Sequence, residues 1–544
     1  MARIALDFGT GNTVLARFNE TLGCSETVEI PGITRPERYR LEPAGPEQTV
    51  HVVPSLIHYS DTETLIGDQV SARGLSEHPD TMRWMKRGIA AGSARRKKTA
   101  QGHVGPAQAG EDFLRTLFSY ASNIVSLPND EFTCTAPVEA FENFEDWLRR
   151  VCETIGIRRL RLLDEPTACV LGYQGAVRRD EHFVVFDFGC GTLDVAAVRI
   201  DLGATAERKA VVLGRAGCDL GGMNVDLWLA ADFCERHAIA DTDRRRLEAV
   251  ILRQAEAAKI TLSDPAEDSA AITLLDDAGR RPRAMRTTYM RECDACVRGR
   301  ADNDGGTAEG CLGCILLRND FVKQARDTLD RALENAAAHS GLRRTDVQRL
   351  LVTGGTSLIP RVRALLHDSF DGRVELQSPF DAVARGACRG IVVPILQHDY
   401  SIESYSRDRR EYEFHPLFAL GLEYPTPPDK PKKLWLRGST EGQTRIGLKI
   451  FEVSRMKRRR LEIGLVDEAG ALRADSQVAT DLAYVCLNPD NPTFVVADPP
   501  VNLERDAKRF LAAFSIDGQR RLLASVVDNL SGQTLLRDHP VVRL

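Results

Sequence analysis

A chain of 544 residues is too long for one ordinary hydrophobic core, and the length implies two to four domains. Hydrophobic residues at 43% and charged residues at 27% give the composition of a soluble globular protein. A formal net charge of −5 gives no reason to expect nucleic acid or an anionic membrane as partner. The short basic runs at 95–98 and 455–460 are expected to be solvated loops. No apolar run reaches the ~18 residues of a membrane span. The chain enters its first apolar run at Ile4, so no signal peptide is expected and the setting is expected to be cytoplasmic.

The first predicted element is a hairpin at 4–13, IALDFGTGNT. Its apolar run ends at Asp7, and Gly9 and Gly11 make a tight turn between two strands. A near-copy, VVFDFGCGTLDV, occupies 184–195, with Asp187, Gly189, Cys190, Gly191, Thr192 and Asp194. Glycine lets the turn backbone approach a phosphate, and the turn amides then point at the anion. An aspartate on each side offers oxygen ligands, direct or through water, to hydrated magnesium. Two such hairpins facing each other would form a phosphate clamp.

Between the hairpins, 52–59 reads as a strand with Pro54 at a turn or edge, followed by 65–67. A polar helix-like run then ends in Trp84-Met85-Lys86-Arg87-Gly88. Helical periodicity spans 111–125, a strand 131–136, an amphipathic helix 142–155 and an apolar strand 160–163. That strand runs into Asp164-Glu165-Pro166-Thr167-Ala168 at a strand-to-helix junction. Ligands bind at the carboxyl ends of strands in open α/β sheets, so Glu165 is a candidate base or ligand to metal-bound water. From its position alone it could equally be a helix-capping acid.

The order DFGTGNT, KRG, DEPTA, DFGCGTLDV and LVTGGTSLIP (351–360) resembles the seventy-kilodalton heat-shock, DnaK-type chaperone family of the actin-like ATPase superfamily. The resemblance also takes in 219–226 (DLGGMNVD), 319–333 and 380–387 (FDAVARGA), and covers about the first 395 residues. It implies an α/β, two-lobed actin-like ATPase fold, lobe I at 1–180 and lobe II at 181–396, with ATP and magnesium between them. Asp7, Gly9, Thr10, Gly11, Asn12 and Thr13 match the first phosphate loop, with Gly11 in place of a hydroxyl residue. Lys86 matches the lysine that positions the attacking water beside the γ-phosphate. Glu165, Asp187 and Asp194 match the acids of the magnesium and water shell, Asp7 and Asp187 holding the ion through water. Thr192, Gly189 and Gly191 match the second loop, where Cys190 replaces a glycine. Gly221, Gly222, Gly354, Gly355 and Asp381 are implied at the nucleotide, with Glu256, Lys259 and Ser263 at its ribose and adenine. Ile260 and Leu358 stand where the family places two adenine-sandwiching arginines, so weaker nucleotide binding is expected.

Four of the thirteen cysteines are clustered. Cys293 and Cys296 are spaced C-x2-C, as are Cys311 and Cys314, with fourteen residues between the pairs. Two such knuckles can bring four thiolates to one structural zinc, within an insertion at about 285–317 joined by a glycine- and aspartate-rich loop at 299–310. Redox-active dithiols and an iron–sulfur cluster are the alternatives.

Residues 397–413 are polar and read as a linker, without the family's apolar docking run. From 414 to 544 short alternating runs at 446–453, 461–466, 510–516 and 522–527 carry an all-β signature. Their order resembles the family's peptide-binding β-sandwich, here without a helical lid. The expected activity is that of an Mg-dependent, slow ATPase and chaperone acting on unfolded or extended protein segments. J-domain co-chaperones and nucleotide exchange factors are implied by the resemblance alone. A nucleotide-gated scaffold for one dedicated partner is the first rival reading, then an actin-fold kinase of a small molecule, then an actin-like polymeriser.

Overall fold

The computed structural model describes residues 2–137, 141–173, 181–202, 208–276, 283–299, 309–389, 396, 398–406, 411–466, 472–489, 492–518 and 520–544. The N-terminal part is built on two sheets with the same kind of centre. In the first, Leu160–Asp164, Glu131–Ala136 and Arg3–Phe8 run parallel, and Arg3–Phe8 turns back through Asn12–Asn19 to Gln48–Pro54 and Arg35–Tyr39. In the second, Arg208–Cys218, Leu193–Leu202, Glu181–Phe188, Arg349–Thr353 and Val374–Glu375 lie in that order. Each central strand is apolar on both faces because helices cover both sides. Phe8 shows this on one face, with Phe113, Phe144 and Trp147 at centroid distances of 5.8, 6.5 and 5.8 Å.

The two sheets share a third core. Helices Glu165–Gly172 and Ala382–Arg389 cross between them, and Ala168, Cys169, Val383 and Ala384 pack with Ala5 and Val14 of one sheet and Val185 and Ala196 of the other. The crossing is close enough that a Cβ on Gly172 would overlap the carbonyl of Ala382, and one on Gly386 that of Ala168. These two glycines set the spacing of the lobes.

Three expectations are corrected in detail. The single strand at 52–59 is two, Gln48–Pro54 and Ile57–Tyr59, because the chain breaks at Ser55 to grip the first loop: Ser55 donates from its amide to Gly11 O (2.9 Å) and from its hydroxyl to Gly9 O (2.8 Å). The helix expected at 111–125 is Pro106–Tyr120, started by Pro106 at its first turn and followed by a 3-10 turn at Ala121–Asn123. The segment read as a linker instead contributes strand Asp399–Ser406, which pairs with both Glu411–Phe418 and Ile450–Val466. Its Tyr400 and Ile402 belong to an apolar core, a two-residue signal with serine between them in an otherwise polar stretch.

Beyond it the described chain is strands and one 3-10 turn. One sheet has the order Glu411–Phe418, Asp399–Ser406, Ile450–Val466, Leu472–Cys486, and a second Lys432–Leu436, Phe510–Ile516, Arg521–Asp528, Gln533–Arg543. The runs expected at 446–453 and 461–466 are redistributed: Arg445–Leu448 pairs with Thr493–Val496, and Ile450–Val466 is one long strand that includes the basic run 455–460. Strict alternation of buried and half-buried residues in Phe510–Ile516 and Arg521–Asp528 turns one face of the second sheet to the common core. This part touches the first lobe through Arg520, 3.5 Å from Glu145, and through an ion pair of Arg543 with Asp146, both acids on helix Phe141–Ile155.

Gly386→Ala should destabilise the protein by about 3 kcal/mol or more, since overpacking here meets backbone that cannot yield. Gly518→Ala, where a Cβ meets nothing, should be neutral in the same chemical denaturation experiment.

Candidate functional site

Asp7 and Asp187 end the central strands of the two sheets, so the fold brings them to opposite walls of one cleft. The cleft encloses a cavity of about 1020 Å³, ample for a nucleotide. Asp7, Lys86, Glu165, Asp187, Thr192 and Asp194 all line it. Asp194 lies directly across the antiparallel pair from Asp187. Glu165 opens helix Glu165–Gly172, whose N-cap is the preceding Asp164, accepting from Thr167 N at 2.8 Å. Capping therefore falls to Asp164 and leaves the Glu165 carboxylate for the cleft, where it pairs with Lys86. Lys86 stands on helix Met85–Ala90, which starts abruptly at Trp84 in the left-handed region (φ 54°).

The electrostatics follow from charge count and burial. Four carboxylates surround one ammonium group in a space largely withdrawn from water. Burial first, then Asp7 and Asp194, push Glu165 up to about 7 against the pull of Lys86. Burial first, then Glu165, Asp194 and Asp7, hold Asp187 well above the usual carboxylate range. Burial pulls the Lys86 ammonium down, but Glu165 and Asp7 outweigh it and its pKa is raised. The cluster is short of positive charge, and a divalent cation beside Asp7 and Asp187 fits that donor set.

The two glycine loops meet face to face. A Cβ on Gly11 would lie 3.0 Å from Cys190 Cβ and 3.4 Å from its sulfur. The hydroxyl side chain absent at position 11 and the thiol present at 190 are thus complementary: the bulk has moved from one loop to the other. Cys190 keeps a backbone conformation open to any residue, since it is not among the left-handed positions.

At the far end of the cavity, Glu256, Lys259, Ile260 and Ser263 project from helix Asp241–Ser263, and Leu358 faces them from the 3-10 turn Gly355–Leu358. Lys259 is buried against Asp226, 2.9 Å away. Gly9, Thr10, Gly11, Asn12, Gly189, Gly222, Gly354 and Gly355 also line the cavity. Thr13, Gly191, Gly221 and Asp381 do not. Thr13 is buried against Ser55 Oγ (2.9 Å), Gly191 abuts Thr10, Gly221 underlies Cys190, and Asp381 is turned to Arg385 (3.7 Å).

Several contributors were not visible in sequence. Thr135 donates to Asp7 Oδ1 at 2.7 Å from the end of the neighbouring parallel strand. Arg40 crosses from the first lobe to Asp264 of the second at 2.7 Å, and Tyr39 donates to Gln377 O at 3.3 Å, so the hairpin of Arg35–Tyr39 and Gln48–Pro54 closes this end of the cavity. A polar residue at a strand's carboxyl end could have flagged Thr135; nothing local flags Arg40.

The four clustered cysteines converge. Their sulfurs all lie within 4.8 Å of one another, with Cys293–Cys314 at 3.4 Å and Cys296–Cys311 at 3.8 Å. A tetrahedral ion with metal–sulfur distances of about 2.3 Å requires edges of about 3.8 Å. A Cβ on Gly313 would lie 2.6 Å from Cys296 Sγ, so the second knuckle needs glycine at that point. Most of the loop expected to join the knuckles, 300–308, lies outside the described residues. Among the described residues no helix is long and apolar enough to cross a membrane.

Residues 106–281 match the family model described as Hsp70 protein. The chain is 27% identical over 308 residues to "Chaperone protein DnaK" of Deinococcus radiodurans, covering 55% of this chain and 44% of that one. It is 26% identical over 363 residues to "Chaperone protein HscA" of Xenorhabdus nematophila, covering 62% and 52%. For "Chaperone protein DnaK" of Deinococcus deserti the values are 27% over 377 residues, 64% and 55%. The chain spans about half the length of the curated relatives it matches.

Glu165 carries a pH signature. A carboxyl raised from 4.5 to about 7 contributes stability that is complete below pH 4.5 and is lost as pH rises through about 7. Without metal or nucleotide, the melting temperature should fall over that window. Glu165→Gln should reduce the slope in scanning calorimetry at matched ionic strength, and the remainder should fall further in the double variant with Asp187→Asn.

Proposed function

We propose that the chain, as a divergent member of the Hsp70 family that its matches support, binds ATP in the inter-lobe cleft, hydrolyses it slowly, and acts as a chaperone on extended protein segments. The observation that carries this reading is the buried Lys86–Glu165 pair together with half-buried Asp7, Asp187 and Asp194, all lining one nucleotide-sized cavity. Asp7 and Asp187 would hold magnesium through water. When bound, the ion supplies charge neutralisation for the phosphates and the carboxylates alike.

The chain's own residues supply the rest. The loops carrying Thr10 and Thr192 offer backbone amides and hydroxyls to the phosphates. Lys86 holds the attacking water by hydrogen bond and adds positive charge where negative charge spreads over the transferred phosphoryl group. Glu165, ion-paired to Lys86 and raised to about 7, orients that water and can take up its proton. Thr135 fixes one oxygen of Asp7 and leaves the other to the cleft. The nucleoside rests on aliphatic Ile260 and Leu358 rather than on guanidinium groups, so its affinity is low for the family.

The C-terminal strands are read as a β-sandwich that takes extended segments. Their common core and the alternation of Phe510–Ile516 and Arg521–Asp528 support this. The four-cysteine cage is read as a structural zinc site, supported by sulfur spacings close to a tetrahedral edge. With four thiolates the shell is full, which leaves such an ion no position for catalytic water.

Binding of an unfolded reporter protein to the whole chain, compared in ATP and ADP, tests the chaperone reading. Release promoted by ATP is expected; no binding in either state favours a nucleotide-gated scaffold. Lys86→Ala should lower single-turnover hydrolysis by about 100-fold or more while changing nucleotide affinity by less than about threefold. Equal losses in both would remove Lys86 from the chemistry. Metal analysis of chain purified without chelator should find close to one zinc per chain, and the double variant of Cys293 and Cys314 to serine should lose it.

A further inference from the structure

The cysteine cage and the nucleotide cleft are joined by the two residues that precede the first knuckle. Arg291 sends its guanidinium to the backbone carbonyls of Asp264 (2.8 Å) and Glu267, and its amide to Asp268 O (2.9 Å). Its own carbonyl accepts from Gly313 N at 3.0 Å, inside the second knuckle. Arg291 is therefore held by the second knuckle on one side, two residues before the first, and grips the segment after helix Asp241–Ser263 on the other. The next residue, Glu292, pairs at 2.6 Å with Arg361, at the start of helix Pro360–Phe370.

Both gripped segments are cleft wall. Asp264 and Glu267 line the cavity, and Asp264 is also the residue that Arg40 reaches from the opposite lobe. Leu358 and Ile359, immediately before Pro360, line it from the other side of the nucleoside end. Arg291 and Glu292 thus brace the two walls between which a nucleoside would lie, and the cage adjoins both, through the Gly313 hydrogen bond to Arg291 and the peptide from Glu292 to Cys293. Without an ion, the two knuckles are tied by the short parallel ladder of Arg283–Met290 with Glu309–Cys311, by the Gly313–Arg291 backbone hydrogen bond and by thiol contacts, so an ion would add four bonds at the end of that ladder.

We propose that the Cys293, Cys296, Cys311 and Cys314 site is a metal-dependent brace on the nucleotide cleft: loading it with zinc slows nucleotide release, acting through Arg291 and Glu292. This rests on the reading of the cleft as a nucleotide site. It assigns the metal a regulatory consequence beyond local folding, because the braced residues belong to the cleft and not to the cage.

The test compares the whole chain with zinc bound and after removal of zinc by a chelator under reducing conditions, with metal content measured on both. Release of a fluorescent ADP analogue should be about 10-fold faster without zinc, in the range of ordinary two-site coupling. Re-addition of zinc should restore the slow rate. Arg291→Ala and, separately, Arg361→Ala should release nucleotide fast with zinc still bound, and should respond less to chelation. Unchanged release after verified zinc loss would overturn the proposal, as would failure of the reduced chain to bind zinc. If the zinc-loaded chain binds no nucleotide at all, the reading of the cleft fails but the brace is still decided by hydrogen exchange. Loss of amide protection in 264–268 and 359–363 on zinc removal supports the brace, and unchanged protection overturns it.

Discussion

Everything in the N-terminal part converges on an electrostatic problem: four carboxylates and one lysine in a buried space. Burying net negative charge is costly unless something neutralises it. The chain tolerates the arrangement because the cost falls on groups that can respond. Glu165 and Asp187 move toward their protonated forms, Lys86 is locked in its charged form, and a cation or nucleotide complex would reverse the first of these shifts. Such a site is suited to a cation, whose charge would offset the cost. The two sheets, the two glycine loops and the crossing helices are what deliver those five side chains to one place from four separate stretches of sequence.

Delivery depends on spacing, and spacing here is set by the absence of side chains. Gly172 and Gly386 let the bridging helices touch backbone to backbone, which fixes the lobes close enough for Asp7 and Asp187 to share a cavity. The loops obey the same rule at smaller scale. Gly11 and Cys190 fill one gap between them, so a departure in one loop is intelligible only with the departure in the other. Taken singly, each substitution reads as a lost contact; together they conserve volume where packing density leaves no slack.

This explains what could be read from the sequence. Asp7, Glu165, Asp187 and Asp194 were legible because each sits in a local signature, a buried strand or helix start punctuated by glycine or proline, whereas Lys86 was reached only through the family resemblance. The paired knuckles were legible from spacing alone, and the cage closes as that spacing requires. Contacts formed between distant stretches left no such trace: Asp226 on Lys259 and Arg40 on Asp264, while Thr135 on Asp7 left only its place at a strand's carboxyl end. Asp381 illustrates the converse, for its motif is intact but its carboxylate turns to Arg385, away from the cavity. The segment after 396 was misread because its two large core residues, Tyr400 and Ile402, are few against the polar and charged residues of 397–413. Its strand was decided by pairing with Ile450–Val466, some fifty residues on.

That misreading matters for how the C-terminal strands relate to the cleft. A flexible linker would leave the two parts to communicate by tethering alone. Instead, Arg520 and Arg543 rest on Glu145 and Asp146, while neighbouring Phe144 and Trp147 of the same helix pack on Phe8, the residue after Asp7. The Lys86 ammonium lies over the Phe144 ring, 5.7 Å from its centroid. One helix therefore carries the ion pairs of the strand-rich part on one side and the neighbours of two cleft residues on the other. Surface ion pairs alone contribute little stability, but these need only bias the position of a helix whose apolar face is fixed against the cleft. A contact route from the C-terminal strands to Lys86 is then three side chains long, and it does not pass through the linker.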